Sequence, residues 1–219
     1  MSTSHDHPHD HPEGDSHEPI GTDGKPGYYD VMETAVRELF IEHGLLRAAE
    51  IRRQIEVLDS RTPALGAQVV AKAWTDSGFK ARLLEDGRSA CEELGITFYD
   101  DTLLIVLENT DRVHNLIVCT LCSCYPRPVL GLPPDWYKLK PYRARAVTEP
   151  RKVLEEFGTF IHDDVEIRVS DSTATVRFLV LPQRPRGTED WSDAQLAGLV
   201  TRDSMIGVAF ARSPAEEVA

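Results

Sequence analysis

Three of the chain's four cysteines fall within six positions: Cys119, Cys122 and Cys124 in "VCTLCSC" (118–124). Thiolates at such spacing serve as metal ligands, as a redox pair or as nucleophiles. Four readings of the cluster stand side by side. A structural zinc site needs four ligands closed around the ion, and only three are clustered. A four-cysteine iron–sulfur cluster has the same deficit, and its usual spacings differ from C-x-C. A redox pair or thiol nucleophile has no use for a third cysteine. In the fourth reading the loop itself wraps a single ion. The sulfurs of Cys122 and Cys124 and the backbone amides between them supply a plane of four donors, Cys119 reaches an axial position, and the sixth place stays open. Thiolates suit a soft or borderline ion, and ionised amides favour a low-spin trivalent one, iron or cobalt.

These residues need a scaffold. The cluster follows an apolar run, "HNLIVCT" (114–120), and precedes "YPRPVLGLPPD" (125–135), whose four prolines exclude regular helix or central strand. It therefore sits in a stiff loop at a strand end, where functional groups are commonly placed. "TLLIVLEN" (102–109) and "HNLIVCT" read as strands from their β-branched runs. "EIRVSDSTATVRFLVLP" (166–182) reads as two antiparallel strands joined by a polar turn at Asp171–Ser172. "SMIGVAF" (204–210) reads as a last strand.

Helical periodicity governs the earlier part. Val31, Ala35 and Leu39 repeat at i+4, with a stop near His43–Gly44, and "RAAEIRRQIEVL" follows as a second helix. Residues 28–60 thus form a helical arm suited to packing on a partner subunit. Residues 64–95 read as two helices broken at "TDSG", with Cys91 a small core residue. Helices are expected near 135–149 and 150–158. A final helix should be capped by Ser192, three residues before Gln195. This order predicts an α+β fold with helices outside antiparallel sheets.

Residues 1–27 lack Leu, Val, Phe and Trp and cannot offset ordering entropy, so a disordered tail is expected. It holds five of the eight histidines, His5, His7, His9, His11 and His17, interleaved with acids. That is the composition of a solvated tail, and also of one that gathers divalent ions. Residues 61–210 form the main domain in this reading, and 211–219 a flexible end. A net charge of −12 gives no support to nucleic-acid binding. No apolar run is long enough to span a bilayer, no secretory signal opens the chain, and a cytoplasmic location is expected. Thiols stay reduced there, which favours metal or catalysis over disulfides.

"VCTLCSCYPRPVLGLPPDWYK" closely resembles the metal-binding segment of nitrile hydratase alpha subunits. The resemblance extends through "VVAKAWTD", "LENTDRVHN", "YRARAVTEPRKVLEEFGT", "DVEIRV", "VLPQRPRGTEDWS" and "LVTRDSMIGVA", covering roughly 28–209. It implies a helical arm followed by a layered α/β sandwich. It implies metal ligation by the sulfurs of Cys119, Cys122 and Cys124 and the backbone nitrogens of Ser123 and Cys124. Cys122 would be oxidised to sulfinate and Cys124 to sulfenate, both early steps of thiol oxidation. Thr120 is the residue of cobalt-type members, which implies non-corrin Co(III), with Fe(III) as the alternative. The implied reaction is R–CN + H2O → R–CONH2, with the Cys124 sulfenate oxygen as nucleophile or base. Ser123 and Tyr125 are the implied hydrogen-bonding groups around it.

The implied partner is a beta subunit, in a heterodimer or heterotetramer, whose arginines hold the oxidised sulfurs. A cobalt-insertion activator protein is implied as well. Two positions depart from the usual pattern. Arg127 stands in "YPRP" where most members have "YPWP", and Ser170 in "VSDS" where a bulky ring is common. The first departure resembles the metal subunit of thiocyanate hydrolase, a cousin with the same "CTLCSC" loop, and places Arg127 as a pocket residue suited to an anion. A hydratase for a large polar, nucleoside-type nitrile is a further expectation.

Overall fold

The computed structural model describes residues 27–99, 101–122 and 124–214. The expectations for the histidine-rich tail before Gly27, for Ser123 and for residues 215–219 fall outside them. Two helices come first, α1 (Tyr28–Glu42) and α2 (Ala48–Asp59), as the i+4 spacing requires. The turn after α1 uses Gly44 at φ +69°. Neither helix buries a residue, and Val31, Val36, Leu39 and Phe40 are exposed. The chain divides into two compact units after Gln54, within α2.

In the second unit, Pro63 occupies the first turn of α3 (Pro63–Thr75), where its missing N–H costs nothing. Asp76 then accepts from Phe79 N at 2.9 Å and starts α4 (Ser77–Glu85). Asp86 repeats the device, accepting from Ser89 N at 3.0 Å to start α5 (Gly87–Glu93). The segment expected as one helix after "TDSG" is therefore two. Asp86 takes an extended conformation and caps the next turn instead of continuing the last one. Cys91 is buried in the core, as its sequence context suggests.

Strands β1 (Leu103–Glu108), β2 (Val113–Val118), β3 (Glu166–Asp171) and β4 (Val176–Leu181) lie where the β-branched runs place them. Their pairing differs from expectation. β1 pairs with β4 and β2 with β3, both in parallel, so β3 and β4 are not a hairpin. A run of apolar residues declares a strand but not its partner. The signature of parallel pairing is nonetheless present. Leu116–Val118 and Leu179–Leu181 are buried consecutively, on both faces of their strands. Each such side chain contributes about 1.5–3 kcal/mol by leaving water.

The "YPRPVLGLPPD" stretch also departs from expectation by containing a helical turn, α6 (Arg127–Leu130), with Pro128 in its first turn. Then come α7 (Asp135–Lys138), α8 (Lys140–Thr148) and α9 (Pro150–Glu156). α10 (Asp193–Leu199) is capped by Ser192 and Gln195 as read from the sequence. The expected last strand at 204–210 is instead helix α11 (Arg202–Ile206), capped by Thr201. Gly207 follows at φ +93° with its α-carbon face against β2. A Cβ there would lie 2.0 Å from Asn115 O. Only glycine serves both the left-handed turn and this approach.

The architecture is α+β and layered. α4 and α5 pack on β1, α11 on β4, α8 on β2 and α9 on β3, while α3 lies against α10. The two parallel sheets meet through β2 and β4, the most buried strands. Among the described residues no helix is long and apolar enough to cross a membrane.

Candidate metal centre

β2 ends at Val118, and the thiol loop begins with the next residue. Cys119 inherits the burial of the strand, being 1% exposed, whereas Cys122 is exposed and Cys124 half-buried. The loop folds back so that all three sulfurs lie within 4.8 Å of one another. Cys119 and Cys122 Sγ are 3.4 Å apart, and Cys122 and Cys124 Sγ are 3.2 Å apart. Disulfide bonding needs about 2.05 Å, so these are separate thiols.

The separations carry chemical information. With a metal–sulfur bond of about 2.3 Å, neighbouring sulfurs stand about 3.25 Å apart at right angles and about 3.75 Å apart in a tetrahedron. The observed pairs match the right-angled case. Two of the three sulfur pairs thus suit one ion of planar or octahedral geometry better than tetrahedral zinc. Burial, followed by the neighbouring Cys122 thiol, pushes the Cys124 thiol up to about 12, against the pull of Arg177.

Three residues outside the loop hold it, and a fourth holds the strand end that leads into it. The parallel register sets Asp171, the last residue of β3, opposite Val118. Its carboxylate accepts from Thr120 N at 2.9 Å and from Thr120 Oγ1 at 2.5 Å. From α8, Arg143 donates to Cys122 O at 3.1 Å and to Thr120 O at 3.4 Å. Tyr137 on α7 donates its hydroxyl to Cys124 O at 3.0 Å. Tyr142 on α8 donates to Ile117 O at 2.6 Å, just before the loop. Sequence reading singled out none of these four for the site. The sequence alone reads Asp171 as part of a turn, and its role follows only from parallel pairing.

An aromatic bed supports the loop from beneath. The Tyr125 and Tyr137 rings meet edge to face at 5.1 Å, and Trp136 meets Tyr142 at 4.9 Å and Phe157 at 4.7 Å. Tyr125 is 3% exposed, and among the described residues its hydroxyl has no hydrogen-bond partner. Burial raises its ionisation well above the usual tyrosine range, so it keeps its proton at neutral pH. Arg127 is exposed and lines a cavity of about 490 Å³ together with Cys122, Cys124 and Tyr125. Ser170 lies within β3, paired with Ile117, and does not line that cavity.

Comparison with known proteins agrees with this geometry. Residues 27–209 match the family model of the nitrile hydratase alpha chain. The chain is similar to a nitrile hydratase subunit alpha of Rhodococcus sp, 56% identical over 183 residues, which cover 83% of this chain and 92% of that one. It is 52% identical to the low-molecular weight cobalt-containing nitrile hydratase subunit alpha of Rhodococcus rhodochrous, covering 83% and 88% of the two chains. Among solved structures, a recombinant thiocyanate hydrolase with partially modified cobalt centres superposes with a TM-score of 0.81. It is 41% identical, with 87% of this chain and 93% of that one covered. By the family match and by these identities over most of its length, the chain belongs to the nitrile hydratase alpha-chain family.

Proposed function

We propose that this chain is the catalytic, metal-holding alpha subunit of a nitrile hydratase, converting R–C≡N and water into R–CONH2. The observation that carries the reading is the right-angled sulfur cluster, at 3.2 and 3.4 Å, in a chain 52% identical to a cobalt-containing relative. Cys119, Cys122 and Cys124 would hold the ion through sulfur, and Ser123 and Cys124 through backbone nitrogen. The ion assigned is non-corrin Co(III), with Fe(III) as the alternative. Bound there, it supplies Lewis acidity that makes a nitrile carbon electrophilic.

The remaining work falls to the chain. Cys122 as sulfinate and Cys124 as sulfenate turn the cavity wall into a row of oxygen acceptors. Cys124 lines the cavity, and its sulfenate oxygen would act on the nitrile carbon as nucleophile or base. Hydration is redox-neutral. The carbon gains one oxygen and the nitrogen two protons, both from water overall; where the Cys124 oxygen is the nucleophile, water's oxygen replaces it on sulfur. Tyr125, protonated throughout, orients the loop instead of titrating. Asp171, Arg143 and Tyr137 keep the donors in place, so that little reorganisation accompanies ion binding.

A beta subunit completes the site in a heterodimer or heterotetramer. Support comes from exposed apolar groups beside the loop, with Leu121 87% exposed above Val147 of α8, and from the unburied faces of α1. The reading includes a cytoplasmic location and an activator protein that inserts cobalt.

Thiocyanate hydrolysis is the second reading. Arg127 in the cavity and the likeness to a thiocyanate hydrolase favour it. The test is to co-express the chain with its beta subunit, measure bound metal, and offer neutral nitriles beside thiocyanate. Amide without ammonia is expected from the nitriles, and Cys124→Ser should abolish it. Carbonyl sulfide and ammonia from thiocyanate, with no amide from any nitrile, would decide for the second reading.

A further inference from the structure

The cavity beside the thiol cluster has an unusual charge. Arg61, Arg127 and Arg177 line it, and among the described residues no carboxylate does. The chain holds 36 acidic against 24 basic residues, so a cavity with three cations and no acid among the described residues runs against its average surface. Several cations elsewhere are paired with acids, Lys80 with Glu108, Arg82 with Glu93, Arg145 with Glu149 and Glu156, while Arg143 and Arg151 are held by backbone carbonyls. The three cavity arginines have no ion pair among the described residues. Arg61 lies 4.8 Å over the Tyr99 ring, and Arg177 donates to the Thr173 and Val176 carbonyls. Both contacts fix a guanidinium in place without neutralising it. Arg127 has no side-chain hydrogen-bond partner among the described residues.

Three like charges facing one cavity repel; the oxidised Cys122 and Cys124 offset part of that charge, and an anionic group of a ligand would offset more. We propose that this cavity takes the negatively charged group of the substrate, so that the substrate class is a cyano compound bearing an anion, a cyanocarboxylate. The inference rests on the hydratase reading above and narrows it. Carboxylate oxygens match the planar fork of a guanidinium. Phe98, Tyr99 and Leu103 on the same wall take the carbon chain between the carboxylate and the cyano group, which points toward Cys124.

The test uses the metal-loaded complex with the beta subunit. 3-Cyanopropanoate and 3-cyanopropanamide have nearly the same shape and differ by one charge. The anion should be preferred about tenfold or more in kcat/KM, and the preference should shrink as salt is raised. Arg127→Gln and, separately, Arg61→Gln should each cut the preference about tenfold, with the loss in KM. A readout free of turnover is calorimetric binding of the two hydration products, succinamate and succinamide, where succinamate should bind about tenfold tighter. Equal kcat/KM for both nitriles, with equal product affinities at low salt, would overturn the inference and leave the hydratase reading standing. Thiocyanate hydrolysis with no amide from either nitrile would overturn the hydratase reading, while tighter succinamate binding would still support the anion site.

Discussion

Replacing Asp171 by alanine removes a side chain that ties the thiol loop to the end of β3. Two hydrogen bonds are lost, from Thr120 N at 2.9 Å and Thr120 Oγ1 at 2.5 Å. Hydrogen bonds to a charged group contribute about 1.5–3 kcal/mol each when shielded. Thr120 and Asp171 are both exposed, so water replaces much of each bond in the variant. The expected net cost is about 2 kcal/mol, drawn from the ordered loop and not from the core. A cost of about 2 kcal/mol lowers the population of the ion-ready loop about thirtyfold. Asp171→Asn keeps one acceptor oxygen without the charge and should cost about half as much. The assays are cobalt per chain in the purified complex and amide formation per bound cobalt. Asp171→Ala should lose most of its cobalt while its circular dichroism stays that of the parent. Thr120→Val combined with Asp171→Ala should lose little more than Asp171→Ala alone, because both changes remove the same Oγ1 bond. Full cobalt content and parental turnover in Asp171→Ala would refute the claim that this strand end positions the loop.

Other perturbations separate the site from the scaffold. Gly207→Ala forces a Cβ to within 2.0 Å of Asn115 O at φ +93°, so it should cost more than about 3 kcal/mol and lower the thermal midpoint sharply. Cys91 is buried and its thiol is pushed up to about 12 by that burial. In the metal-free native chain at pH 8, iodoacetamide should therefore modify exposed Cys122 and spare Cys91, as peptide mass spectrometry would show. His114 is buried between Asn109 and Gly207 O, and burial lowers its pKa despite the Gly207 bond. A lowered folded pKa means that the unfolded chain binds the proton first. Stability is then full above the unfolded value of about 6.5 and falls as pH drops below it. Urea midpoints at pH 7.5 and 5.5 should differ more for the parent than for His114→Gln.

Local signals in the sequence were strong enough to determine much of this protein. The i+4 repeats place α1, the Ser192–Gln195 box places the start of α10, and β-branched runs place all four strands. The spacing of Cys119, Cys122 and Cys124 marks the donor cluster, because ligands three and two residues apart can converge without help from the rest of the chain. Where local signals compete, the reading fails. Asp86 can cap or continue a helix, and "SMIGVAF" is apolar enough for a strand, yet Thr201 caps a helix there and Gly207 turns it against β2. Long-range partners are decided only in the tertiary structure. A strand's own residues do not say which edge it will join, so parallel pairing of β2 with β3 had no sequence signal beyond the continuous apolar run of β2. That pairing alone carries Asp171 to Thr120, 51 positions away in the chain. Packing of α7 and α8 likewise brings Tyr137 and Arg143 to the loop carbonyls. The three cavity arginines come from positions 61, 127 and 177, and their shared charge exists only once the chain has folded around it.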